Sequence, residues 1–582
     1  MKLPRINKID TQRTMSSTFS GYNRNLEIKD AEFYDMKNMC SDFFPAASPR
    51  SKRGTVNIMS KAQGMISKDA LAYIDNNKLY YNDSEVAGLV LTDGEKSLVS
   101  MGALLCIFPD KVTYNTVNGE IKYLENKYES ESNTVTFSLT NISGNDLDVT
   151  DVSAVEPSNP KNGDYWLDTS GEKHSLKQWS STSQMWVSIA STYIKISSPG
   201  IGQGFNKFDG VKISGCTAAG TELLNNTSVI WGVNDNYIVV IGILDAVVTQ
   251  TDSITVFREV PKMDFVIEAG NRLWGCRYGM SGEKSVNEIY ASKLGDASNW
   301  NCYMGTSTDS YAASLGSDGV FTGAVNYLSY PLFFKENCIH KVYGSFPSNF
   351  QIQTTKCRGV QKGSYKSLTI VNERLYYKSP SDVCVYDGSL PQGISEQLGK
   401  VRYSDAVSGG ASGKYYISMK SQKNEWTLFV YDTVYQFWSK EDSLHPLCFA
   451  EHNGELMAIS IDETEEKPVY KLLAMKGTEG TAETDFEWMV QSGNIGYAYP
   501  DRKYISRFNL RLLMSEGCRV SFFVSYDDGE FIKRADVVSA GNKTHIVQDI
   551  PKRCSHMAYR LVGTGDCKII SVTKSLEQGS DL

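Results

Sequence analysis

Along most of the chain, apolar and polar residues alternate in short runs broken by glycine, asparagine and aspartate. A period of two puts every second side chain on one face, so each run predicts a half-buried strand rather than a helix. One phrase recurs, a polar turn followed by an aromatic-rich strand. It appears as Asn77-Lys78-Leu79-Tyr80-Tyr81, Asn271-Arg272-Leu273-Trp274-Gly275, Glu373-Arg374-Leu375-Tyr376-Tyr377, Gly413-Lys414-Tyr415-Tyr416-Ile417 and Gly454-Glu455-Leu456-Met457-Ala458. The last three lie about 40 residues apart, the repeat of a four-stranded propeller blade.

Strand–turn groupings at 322–354, 367–386 and 415–440 read as successive blades. A single blade cannot bury both faces, so blades must stack around an axis and close into a ring. The fold expected is all-β: a six- or seven-bladed β-propeller with a small β insertion and a C-terminal β-sandwich, a stack of β-sandwiches being the alternative. The first blades fall in 54–127 and the remainder in 233–492. Between them, at 128–232, the period is lost and serine, threonine and asparagine dominate; strands at 493–582 form the sandwich, and 1–53 an N-terminal arm.

Composition narrows this further. At 582 residues with 41% hydrophobic and 22% charged side chains, the chain can bury several cores. A net charge of -8 argues against a dedicated nucleic-acid binder. The arm is locally basic, and Arg5, Arg13, Arg24, Arg50 and Arg53 are candidate assembly contacts on a solvated or partner-bound segment. Removing residues 1–50 is therefore expected to leave the propeller folded. The start of the chain does not resemble a signal peptide, and no apolar run reaches the roughly 18 residues needed for a membrane span, so no membrane insertion is expected. Twelve scattered cysteines without a C-x-x-C pair read as small buried hydrophobes of a chain made in a reducing cytoplasm.

Chemical motifs are sparse. Gly200-Ile201-Gly202-Gln203-Gly204 lacks the flanking strand and helix of a phosphate cradle, and Ser525-Tyr526-Asp527-Asp528-Gly529-Glu530-Phe531 reads as a hairpin turn. The acidic run 462–466 reads as a solvated turn, and His445 and His452 flank one strand without a third metal ligand. No catalytic residue, cofactor or metal site is assigned, and the chain is expected not to be an enzyme. Four aromatics of the insertion, Tyr165, Trp166, Trp179 and Trp186, are candidate glycan contacts, because aromatic faces stack on sugar rings. The bland alternative makes them the core of a tiny domain.

Several phrases resemble bacteriophage proteins. Gly21-Tyr22-Asn23-Arg24 with Glu32-Phe33-Tyr34-Asp35-Met36-Lys37-Asn38-Met39 resembles the openings of phage tail proteins. Leu294-Gly295-Asp296-Ala297-Ser298-Asn299-Trp300 and the stretch 333–344 are similar to prophage proteins of Gram-positive hosts. The layout is similar to the packaged-DNA stabilisation, or tail hub, proteins of short-tailed phages. That resemblance implies a structural protein of the virion tail or head–tail joint, assembled in the bacterial cytoplasm. Its partners would be copies of itself, other tail or neck proteins and packaged DNA in the channel. The insertion instead looks like small modules of tail-fibre and chitin-binding-like proteins, which implies a distal tail or baseplate protein binding host-surface glycans. A propeller enzyme acting on polysaccharide is the third reading.

Overall fold

The computed structural model describes residues 11–578 apart from 283, 464–465, 478, 497–501, 539–540 and 549–551. Arg5 therefore lies outside the described residues. Seven antiparallel sheets, six of four strands and the last of five, form a closed ring, with blades at 62–85, 97–123, 265–314, 323–356, 369–393, 403–440 and 446–474. Blades 1 to 6 are meanders in sequence order from the axis outward; in blade 7 only the three inner strands follow that order. The innermost strands of neighbouring blades touch all the way round, blade 4 meeting blade 5 through the turn Tyr365–Ser367, and blade 7 (Pro446–His452) closing on blade 1 (Ala62–Lys68). The propeller core is accordingly not one mass but a set of apolar layers between adjacent blades, such as Ile74, Leu79, Leu105 and Ile107 between blades 1 and 2. Inner strands converge at the axis, and there bulk is excluded: a Cβ on Gly409 would come within 2.5 Å of Phe449 Cβ, a side-chain atom of blade 7.

The ring is sealed by a strand from the other end of the sequence. Gly54–Met59 pairs with Val469–Ala474 and supplies the fourth strand of blade 7. The segment read as an arm is likewise folded in. Thr11–Ser16 pairs with Cys567–Gln578, and Phe33–Lys37 pairs with Glu487–Ser492, so both are strands of the C-terminal sandwich. Phe19, Tyr22, Phe33, Met36 and Met39 are buried in a core that also holds Trp438 of blade 6 and Trp488 of the sandwich. The expectation that 1–50 could be removed without harm to the propeller is thus corrected: this segment is mortar between blade 6 and the sandwich.

The insertion is longer than its polar composition suggested and runs from Asn126 to Arg258. Two sheets face each other around Phe137, Ile194, Ile196, Ile213, Ile238 and Val256. The apolar strand Tyr237–Ile241, which reads as a blade strand in sequence, belongs here because it pairs with Tyr193–Ser197. Asn299 of blade 3 docks the insertion, accepting from Gly210 N at 3.0 Å and donating to Phe208 O at 2.8 Å. Beside it, Arg258 and Asp209 form a fully buried ion pair at 2.6 Å. A small sheet at 149–188 is nested inside the insertion.

Candidate functional site

The nested sheet consists of Val149–Ser153, Tyr165–Asp168, Ser175–Ser180 and Met185–Ser188. Its loops are tied by backbone geometry. Gly163, at φ +94°, lets Asn162-Gly163-Asp164 turn tightly enough for Gly163 N to reach Trp179 O at 3.0 Å. Asn162 Oδ1 accepts from Ser181 N, and Asp164 Oδ2 accepts from Lys161 N.

Strand alternation divides the four predicted aromatics between two faces. Leu167 and Leu176 point inward and make the module's core with Leu139, and Tyr165, Leu147, Val149, Ile189 and Ile243 pack against them. None of the three tryptophans belongs to that core. Trp179 stands directly opposite Trp186 across the hairpin. Trp166, Trp186 and Trp179 form a row on the other face, with ring centroids 5.5 Å apart at each step and planes at 64°. Trp166 is buried at the back of the row; its Nε1 donates to Ser153 O at 3.0 Å, and Lys177 Nζ lies 4.6 Å over its ring. Lys177 is fixed there by Asp168 at 2.7 Å, and that bond, with Ser170, holds the Asp168 carboxyl below the usual carboxylate range. Trp179 and Trp186 are half-exposed, and Trp186 Nε1 is a buried donor without an acceptor among the described residues. The sheet thus keeps a row of indoles outside the Leu139–Leu167–Leu176 core, buried at Trp166 and half-exposed at Trp186 and Trp179.

A second concavity, of about 600 Å³, lies at the end of the propeller axis where the inner strands begin, and sequence reasoning missed it. Glu95, Phe108, Lys111, Lys262, Asp264 and Tyr365 contribute to its wall. Glu95, entering blade 2, reaches across to blade 5, where it pairs with Lys366 at 2.9 Å and accepts a hydrogen bond from the Tyr365 hydroxyl. Burial, reinforced by Glu95, raises the Tyr365 phenol far above its ordinary value. Asp264 is held by Arg277 and by Tyr278 N at 2.8 Å. Phe265 and Tyr365 put two rings in contact beside these carboxylates, with centroids 5.4 Å apart. No sequence motif joins residues 95, 264 and 365; only ring closure does.

The remaining sequence candidates stay apart. His445 stacks on Trp426 with centroids 4.2 Å apart, whereas His452 bonds Ser67 at 3.0 Å. Residues 464 and 465 of the acidic run lie outside the described residues. Asp527 caps a turn by accepting from Ser555 N and His556 N. Among the described residues no cluster of three His, Cys, Asp or Glu side chains is placed to hold a metal. Of the arm's arginines, Arg13 lies exposed on its strand, Arg24 stacks over Tyr34 at 4.0 Å, and Arg50 and Arg53 are buried among carboxylates.

No family model matches the sequence, and no curated protein matches it. Solved structures do align. An exo-beta-1,3-galactanase from Phanerochaete chrysosporium is 11% identical, over 53% of this chain and 94% of its own, with a TM-score of 0.21. The acylaminoacyl peptidase of Pyrococcus horikoshii is 9% identical over 75% and 57% of the two chains, with a TM-score of 0.25. A Trypanosoma rangeli sialidase is 8% identical over 89% and 97%, with a TM-score of 0.19. The chain is an all-β propeller protein, as the sequence predicted. The expectation of a non-enzymatic ring protein of a virion is corrected where it rested on the arm: two of its proposed assembly cations, Arg50 and Arg53, are ion-paired inside the molecule. Similarity this remote bears on fold alone, so chemistry has to come from this chain's own residues.

Proposed function

We propose that this chain is a glycan-acting propeller protein that holds saccharide on the tryptophan face of its nested module. The observation that carries this reading is the Trp166–Trp186–Trp179 row lying outside the module core, with the Trp179 and Trp186 rings half-exposed. A pyranose offers an apolar face that stacks on an exposed indole, which matches the half-exposed Trp179 and Trp186 rings. Tyr165, on the opposite face, is assigned to the module's stability instead.

The test is affinity electrophoresis of the full chain through gels containing a panel of polysaccharides, beside Trp179→Ala and Trp186→Ala. Truncating a tryptophan at the centre of a contact costs about 2 kcal/mol, so retardation should weaken more than tenfold in each variant. Wild-type migration unaffected by every polysaccharide, or variants retarded like wild type, would overturn the reading.

The axial cavity favours a second step, cleavage of the held glycan. Glycoside hydrolysis takes two carboxyl groups flanking one bond, and Glu95 and Asp264 line one cavity beside Phe265 and Tyr365. Release of reducing ends that disappears in Glu95→Gln, with gel retardation retained, is the expected outcome. Equal release by wild type and variant would exclude the axial cavity as the place of cleavage.

A further inference from the structure

Blade 5 carries a lysine whose charge the fold leaves uncompensated. Lys378 ends the strand Arg374–Lys378 and is 4% exposed. Of five other buried lysines, three hold a carboxylate, Lys96 with Asp110, Lys414 with Asp42 and Lys574 with Asp30, while Lys335 Nζ donates to both Asn287 Oδ1 and Ser317 O. The Lys378 Nζ makes a single hydrogen bond, to the carbonyl oxygen of Ser379, and among the described residues no carboxylate forms an ion pair with it. An ammonium group has three donors to satisfy. Burial pulls the Lys378 amine down to about 8, so it still carries its proton at neutral pH.

This lysine lines a cavity of about 320 Å³, at the small end of the range for ligand pockets. The cavity lies between blade 5 and the linker to blade 6, with Ser395, Gly399 and Tyr403 in its wall. Its nearer acid, Asp382, is engaged by Arg358 and by Ser381 Oγ at 2.9 Å. Glu396 is exposed, and against it stand two exposed cations of the linker, Lys400 and Arg402. The pocket therefore offers a buried cation at its wall and a cationic approach.

We propose that this cavity binds a small oxyanion, the carboxylate or phosphate group of a metabolite or acidic sugar, with Lys378 as its buried counter-charge. A negatively charged oxygen would supply the acceptors that the fold omits, and Lys400 and Arg402 would draw it in. This inference is independent of the tryptophan face and of the axial cavity.

Isothermal titration of the full chain with inorganic phosphate and, separately, with glucuronate tests it. At least one anion should bind, and Lys378→Met should weaken that binding at least tenfold while melting no lower than wild type, because an unpaired buried charge has been removed. Binding of glucuronate alone assigns a carboxylate ligand, and binding of phosphate alone a phosphate group. In the wild-type chain, the binding anion should also protect Lys378 from acetylation by acetic anhydride, read by mass spectrometry. No binding of either anion at millimolar concentration, unchanged binding in Lys378→Met, or undiminished acetylation would overturn the proposal.

Discussion

A chain shortened to begin at Ser60 is expected to lose cooperative folding altogether, sandwich and propeller together. Such a chain lacks Gly54–Met59, so blade 7 keeps only three strands and the ring loses its closing ladder along Val469–Ala474. It also lacks Thr11–Ser16 and Phe33–Lys37, which leaves Cys567–Gln578 and Glu487–Ser492 as unpaired edges. Phe19, Tyr22, Phe33, Met36 and Met39 go with them, each nearly inaccessible in the intact fold. Five such side chains at about 1.5–3 kcal/mol apiece amount to about 8–15 kcal/mol. That matches the whole stability of a typical domain, roughly 5–15 kcal/mol. Near-ultraviolet circular dichroism reports the outcome, since Trp438 and Trp488 are fully buried beside the lost residues. The shortened chain should show neither a native aromatic signal nor a sharp thermal transition. A chain from Ser60 that melts as sharply as the full one would mean that ring closure and mortar contribute little.

The propeller was legible because its period is local. The phrases at 271, 373, 413 and 454 mark the hairpin between first and second strands of four blades, and the one at 77 marks the next hairpin of its blade. Ring closure was not legible, because Gly54–Met59 looks like any strand and its partner lies more than four hundred residues away. The insertion boundary failed for a similar reason: the apolar alternation of Tyr237–Ile241 carries no mark of which sheet it joins. For the tryptophans, part of the signal was available. Period-two alternation puts Trp166 opposite in sense to Leu167, and two leucines facing a core already turn the indoles away from it. The axial cavity and the Lys378 pocket arise from convergence of loops and linkers, which no single segment encodes.

The same distance effect hid the role of Arg50 and Arg53, and it sets the second large expected result: Arg53→Met destabilises the chain by about 3–5 kcal/mol. Arg53 sits just ahead of the closing strand, bonds Asp442 at 2.7 Å and Glu441 at 2.8 Å, and is 5% exposed. Arg50 bonds Glu483, and its Nε lies 3.8 Å from Glu441. Two arginines and three carboxylates thus join the N-terminal segment to the linker between blades 6 and 7 and to the run leading into the sandwich. Burial pushes Glu441 up despite both arginines, whereas at Asp442 the same burial is outweighed, chiefly by Arg53, and the carboxyl sits low. Methionine fills much of the arginine's volume but leaves two buried acids without their main counter-charge. The stability tied to Asp442 in the wild type is present above its ordinary carboxylate range and is lost as pH falls through its depressed value. In Arg53→Met that depression is gone and burial favours the neutral acids, so the defect should be largest at neutral pH and narrow towards about pH 4. Guanidinium unfolding of both proteins at pH 7 and near pH 4 reads this directly. Adding Glu441→Leu should restore part of the loss at pH 7, because one stranded charge is removed with its partner. A deficit equal at both pH values would instead assign the arginine's contribution to packing of its aliphatic stem rather than to its charge.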